Sequence, residues 1–203
     1  LETWVGELYL ELHRGTLTTH GLVKKQNRKL EIKLRNVEMF WSCLDIDLYP
    51  SKELDALWKK LLINQFHDII PGSSINLVYK TTHQEYDQVH KGCDDLIKRA
   101  SERLFSNSSD SFVLANTLSD SWQGVVDIPN SFKNYDVLDE KGNKIPIQLK
   151  DDSVIGFVDL PALSFSSFTK GEKVGRGVKT GKNLVLENDL VSYKFNDKGR
   201  LIK

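Results

Sequence analysis

An α+β, multidomain fold is predicted, a three-helix bundle over residues 21–106 followed by the start of an antiparallel β-sandwich over 111–203, with residues 1–20 as a leading loop. Three observations predict it. Apolar residues recur at steps of three and four through the first half. Short β-rich runs separated by turn formers fill the second half. Between them lies SNSSDS, a polar stretch with almost nothing to bury, which marks the domain boundary.

The first helix is expected over residues 24–48, where Leu30, Leu34, Val37, Trp41, Leu44 and Leu48 form one stripe. Pro50 breaks it and Ser51 is placed to cap a second helix, whose face carries Leu54, Leu57, Trp58, Leu61 and Leu62 and which runs into NQFHD. After Pro71 and Gly72, Ser73 or Ser74 can cap a third helix with the stripe Ile75, Val78, Thr82, Tyr86, Val89, Cys93, Leu96 and Leu104. Short connections between three such helices imply an antiparallel bundle. Beyond Ser111 the runs FVLAN, GVVDIP, VIGFVDL, LVLEN and LVSYKF read as strands, with DEKGNK and NDKG as turns. A sandwich of the usual kind needs about seven strands, so these runs open a larger β domain.

The 28 basic and 28 acidic side chains cancel. No net field draws the chain to nucleic acid, an anionic membrane or a polyanion, which leaves a neutral substrate as the best fit. The run Lys24, Lys25, Arg28 and Lys29 reads as a solvated helix surface beside Glu31. No apolar stretch approaches the ~18 residues of a membrane span. Cys43 and Cys93 both fall within helical apolar patterns, where a thiol behaves as a small hydrophobe, and a reducing compartment follows. Leu1 in place of Met, with a motif starting within four residues, and a last segment DKGRLIK that stops after a turn signal, read as two truncated ends.

Chemistry concentrates in LLINQFHDIIPGSSI, where Asn64, Gln65, His67 and Asp68 interrupt two apolar runs. An imidazole is a common zinc ligand, and a neighbouring carboxylate can accept hydrogen bonds from a sugar hydroxyl or steady the site. By spacing alone a hydrogen-bonded structural His is the default, because zinc needs three or four ligands. Gln65 and Asn64 read as groups that satisfy the backbone at a helix end. In ELHRGTLTT, Glu11, His13, Arg14 and Thr16 surround Gly15; Arg14 can fork onto sugar hydroxyls as a substrate-binding residue, or dock the bundle onto an acidic partner. His20, His83 and His90 have no assigned role. Trp41, Trp58 and Trp122 read as packing residues, while Trp4 has no clear place.

Taken together, WVGELYLELHRGTLTTHGLVKKQNRKLE and, later, LWKKLLINQFHDIIPGSSI resemble the paired signatures of glycoside hydrolase family 38 α-mannosidases, especially the bacterial and cytosolic branch. ANTLSDSWQGVVDIP, GNKIPIQ, VDLPALSFSSF and LEN are similar to stretches that open that family's C-terminal β region. The resemblance implies a retaining exo-hydrolase that removes terminal α-linked mannose from oligosaccharides. In such an enzyme a Zn2+ cofactor holds the mannose 2- and 3-hydroxyls, an Asp nucleophile forms a glycosyl-enzyme intermediate and a second carboxylic acid protonates the leaving oxygen. It makes His67 the fourth zinc ligand and Asp68 a contact to the terminal mannose. It places the other ligands, the nucleophile and the acid/base in an N-terminal catalytic domain, whose end is residues 1–20, so no catalytic residue is assigned here.

The expected partners are therefore a mannose-containing oligosaccharide, that N-terminal domain and further C-terminal β domains, with no nucleic acid and no membrane. The expected compartment is cytoplasmic, and a homo-oligomer stays an open alternative. The segment alone is expected to be inactive. The rival reading is a non-catalytic carbohydrate-binding or interaction module that binds glycans through exposed aromatics.

Overall fold

The structure is a computed structural model that describes residues 3, 5, 15–150, 153–174, 184–187 and 192–203. The chain divides into two units, Leu1–Ser108 and Ser109–Lys203. The first holds three α-helices, α1 (Gly21–Ser42), α2 (Ser51–Ile63) and α3 (Asn76–Leu104). No helix among the described residues is long and apolar enough to cross a membrane.

Most of each predicted stripe packs the bundle, but Leu48, Leu62 and Ile75, which the spacing also placed on the buried faces, are exposed. Val23, Leu30, Leu34, Val37 and Trp41 of α1 are buried against Tyr79, Thr82, Tyr86, Val89, Cys93, Leu96 and Ala100 of α3, with Leu54 and Leu61 from α2. Steps of three and four keep each stripe on one face. The Trp41 indole N–H donates to the Leu96 carbonyl at 3.0 Å, which satisfies the ring's one polar group inside the core. Gly92 sets how closely α2 and α3 approach, since a Cβ there would lie 2.7 Å from Leu57 Cδ2. At the surface Lys33 of α1 donates to the His90 carbonyl at 3.2 Å and pairs with Asp94 at 2.6 Å. Trp58 is half-buried on the core and donates its indole N–H to Glu38 at 2.8 Å.

Four local expectations are corrected. The first helix ends at Ser42, not Leu48: the Asp45 carboxylate accepts from Asp47 N at 3.1 Å and starts a one-turn 3-10 helix, Ile46–Leu48. Cys43 is therefore exposed just past the helix, and only Cys93 behaves as a buried hydrophobe. Neither α2 nor α3 has a side-chain cap. Pro50 holds the N-cap position of α2, and Ile75 that of α3, because the hydroxyls of Ser73 and Ser74 turn back to Asp68. Finally, α2 stops at Ile63, so NQFHD lies in a series of turns.

In the second unit, β1 (Ser111–Asn116), β2 (Trp122–Ile128), β3 (Tyr135–Leu138), β4 (Ile147–Lys150), β5 (Ser153–Leu160), β6 (Ser164–Lys173), β7 (Val185–Glu187) and β8 (Ser192–Lys194) pair antiparallel throughout. Their orders are β1-β6-β3, β2-β5-β4 and β7-β8. Trp122 faces Leu160 and Ile128 faces Val154 in one sheet, and Phe112 faces Phe168 in the other. Ile128, Phe132, Val137, Val154, Val158, Leu160 and Phe168 form one core drawn from both three-stranded sheets, which is the sandwich arrangement. Buried Asn116 donates its amide to the carbonyls of Asp120, Leu160 and Pro161.

Two measurements check this packing. Leu34→Ala is expected to cost about 2–5 kcal/mol in urea unfolding, whereas Leu77→Ala, 67 % exposed on α3, should stay within about 0.5 kcal/mol. Burial pushes the Cys93 thiol up to about 11, with Asp94 adding to it and Lys33 opposing. A thiol reagent at neutral pH should thus modify Cys43 quickly and reach Cys93 only in denaturant.

Candidate functional site

The residues singled out by the NQFHD motif lie on the loop between α2 and α3. Phe66 begins it by accepting from the N–H groups of both Ile69, at 2.8 Å, and Ile70, at 3.1 Å. Gly72 N–H then donates to the Ile69 carbonyl at 3.2 Å. These consecutive turns hold His67 and Asp68 outward at the end of the bundle, where their side chains are 77 % and 48 % exposed. His67 Nε2 lies 3.3 Å from Asp68 Oδ2, and the ring leans on Phe66 with centroids 4.1 Å apart. An exposed imidazole steadied by an adjacent carboxylate is a suitable donor to a metal or a ligand hydroxyl.

The other half of the motif points inward. Asn64, 1 % exposed, donates its amide to the Lys60 carbonyl at 2.8 Å and to Glu85 of α3 at 2.6 Å. Gln65 donates to Asn27 at 3.1 Å and to Glu31 at 2.9 Å, both on α1. Between those two tethers burial pushes the Tyr86 phenol up to about 12, with Glu31 and Glu85 adding to it. Both amides therefore close the bundle beneath the loop.

The loop is also gripped from the side by the turn that precedes α1. Gly72 has φ 95, and a Cβ there would come within 2.5 Å of Thr19 Cγ2. Lys24, on the first turn of α1, donates to the Thr19 carbonyl at 2.5 Å and to the Ile70 carbonyl at 2.7 Å. Burial lowers its pKa from the usual lysine value. Lys24 is thus no part of a solvated basic face, as the sequence suggests, because its ammonium bridges two backbone segments. Arg28 does pair at the surface with Glu31, at 3.3 Å.

Of the predicted site residues, the structure brings His67 and Asp68 together. Arg14 lies outside the described residues, with Glu11, His13 and Trp4; Gly15, at φ 73, opens the turn that leads to α1. The sequence assigns His20 no role and does not single out Tyr79. Their rings stack at 3.7 Å and 13°, and Tyr79 reaches the loop. Ile75 and Val78 satisfied the helical period by themselves, so nothing in the spacing singled out Tyr79. Among the described residues no three His, Cys, Asp or Glu side chains converge as a metal-binding set. The described residues therefore do not by themselves make a complete zinc site.

A cavity of about 290 Å³ lies in the β unit between the turn after β3 and β6. Its carboxylates already have internal partners. Asp139 accepts from Lys141 N, Asn143 N and the Asn143 amide, which holds its pKa below the usual value, and Glu140 accepts from Ser167 N at 2.7 Å.

Comparison with known proteins finds similarity over most of the chain. Residues 11–104 match the family described as the alpha mannosidase middle domain. Across 206 aligned residues, 98 % of the chain, the sequence is 31 % identical to the α-mannosidase 2C1 of Homo sapiens, of which it covers 19 %. It is 40 % identical over 128 residues to the α-mannosidase of Saccharomyces cerevisiae, covering 58 % of this chain and 11 % of that one. The crystal structure of an α-mannosidase from Enterococcus faecalis V583 shares the fold, with a TM-score of 0.58, 20 % identity, and coverage of 92 % of this chain and 28 % of that one. The chain thus spans about a fifth of the length of the human relative.

Gly72→Ala should destabilise the chain by more than about 1 kcal/mol, since it combines a left-handed backbone with a clash on Thr19. Gly142→Ala, at φ 81 with open space around it, should cost less in the same denaturation series, as it carries backbone strain alone.

Proposed function

Because the chain belongs to the α-mannosidases of glycoside hydrolase family 38, we propose that it serves a longer α-mannosidase as the segment that carries one zinc ligand and one sugar contact. The observation that supports this is the exposed His67–Asp68 pair on the loop between α2 and α3, inside the region that matches the middle-domain family. His67 supplies one imidazole nitrogen to a zinc whose remaining ligands come from elsewhere in the polypeptide. Bound there, zinc contributes Lewis-acid binding of the mannose hydroxyl oxygens.

Asp68 works beside it as an acceptor. Among the described residues its carboxylate takes one weak hydrogen bond within the loop, from Ser73 Oγ at 3.4 Å, and His67 Nε2 lies 3.3 Å away. That leaves acceptor capacity for the hydroxyls of a terminal α-linked mannose. A carboxylate accepting from a sugar hydroxyl both fixes the ring's orientation and favours a polyol over a flat apolar ligand. The nucleophile and the acid/base of retaining hydrolysis belong to other parts of the longer polypeptide. By itself this segment does not turn over substrate. A reducing, cytoplasmic setting belongs to the same proposal, supported by Cys43 and Cys93 both being free thiols.

The test uses the full-length polypeptide and an aryl α-mannoside. Hydrolysis should disappear with chelator and return with zinc, His67→Ala should abolish both bound zinc and turnover, and Asp68→Asn should lower kcat/KM roughly ten- to hundredfold, as expected for a lost hydrogen bond to a charged group. Full zinc content and activity in His67→Ala would overturn the proposal.

A further inference from the structure

Tyr79 is the one aromatic residue of α3 that reaches both sides of the candidate site. Its side chain is buried, with 3 % exposure, yet its hydroxyl lies at the loop. That oxygen accepts the N–H of Ser74 at 3.0 Å and shares its proton between the carbonyls of Ile69, at 3.3 Å, and Asp68, at 3.4 Å. Ser74 Oγ adds a 2.6 Å bond to the same Asp68 carbonyl. The other end of the link is the ring face, stacked on His20, whose left-handed backbone (φ 50, ψ 46) starts α1. One turn further, Lys24 closes the circuit by joining Thr19 to Ile70.

We infer that Tyr79 is a positioning residue for His67 and Asp68, fixing through its hydroxyl the loop backbone that aims the imidazole and the carboxylate. The inference rests on the reading of those two residues as ligand and sugar contact. The physical reason is that His67 and Asp68 are themselves exposed and lightly held. Their direction is therefore set by the backbone at 68–70, and that backbone takes side-chain hydrogen bonds from Ser74 within the loop and from Tyr79 and Lys24 outside it. Groups that orient a metal ligand shift metal affinity although they never touch the metal, and here the hold is on the backbone directly after His67. Removing the hydroxyl while keeping the ring preserves the stack on His20 and the core volume, so the two roles of Tyr79 separate cleanly.

The experiment compares four full-length proteins: wild type, Tyr79→Phe, His67→Ala, and Val89→Ala as a variant that weakens the same helix far from the loop. Two quantities are read, zinc affinity by competition with a chromophoric chelator and amide hydrogen exchange at residues 68–72 in the zinc-free protein. Tyr79→Phe is expected to bind zinc about tenfold more weakly and to exchange faster at 68–72. Val89→Ala should change neither, even where its melting temperature falls as far. Wild-type affinity in Tyr79→Phe beside depleted zinc in His67→Ala would overturn the positioning role alone, as would equal weakening in Val89→Ala. Undiminished zinc in His67→Ala would overturn the functional reading and this inference with it.

Discussion

The end of the bundle depends on three consecutive backbone carbonyls, those of Asp68, Ile69 and Ile70, receiving hydrogen bonds from side chains. A reversal between two helices leaves such carbonyls without partners in the chain's own ladder, and an unpaired buried acceptor costs about 1–3 kcal/mol. Here the donors are a serine hydroxyl, a tyrosine hydroxyl and a lysine ammonium, from the loop itself, α3 and α1. With the backbone thus satisfied, the side chains at 67 and 68 are left facing out. Exposure of His67 is a result of how the carbonyls are paired, not of looseness.

Beneath that layer the tethers are polar where a bundle would ordinarily use leucine. Asn64 reaches Glu85 and Gln65 reaches Glu31, so α2 is keyed to both long helices at one level along their axes. Apolar stripes tolerate sliding by a turn, whereas a buried amide that must meet its acceptor does not. Gly92 against Leu57 adds a steric limit on the same pair of helices. The combination sets the height at which the loop, and His67 with it, emerges from the bundle.

Much of the fold was legible because periodicity reports burial directly. The α1 stripe from Leu30 to Trp41 and the α3 stripe from Thr82 to Leu96 are buried as their spacing requires. β1, β2, β5, β7 and β8 fall on the predicted runs, whereas β3, β4 and β6 lie outside them; SFSSFTKGEK buries only Phe168 fully and its strand character comes from pairing with β1 and β3 on either side. Serines 73 and 74 looked like caps because a local hydroxyl before a helix usually is one; a carbonyl across the loop competed for them. Tyr79 and Lys24 were invisible for a related reason, as their partners are distant backbone atoms that no spacing rule marks. His67 was legible as chemistry only through the resemblance of its surrounding motif, because one imidazole beside one carboxylate has no distinctive spacing.

The central claim is that this chain contributes a single ligand to a metal site completed elsewhere. X-ray absorption on the zinc-loaded full-length protein, or anomalous diffraction at the zinc edge, addresses it without reference to activity. An imidazole nitrogen of His67 within about 2.0–2.1 Å of the metal is the expected result. A fully ligated zinc whose coordination leaves out His67 would contradict it.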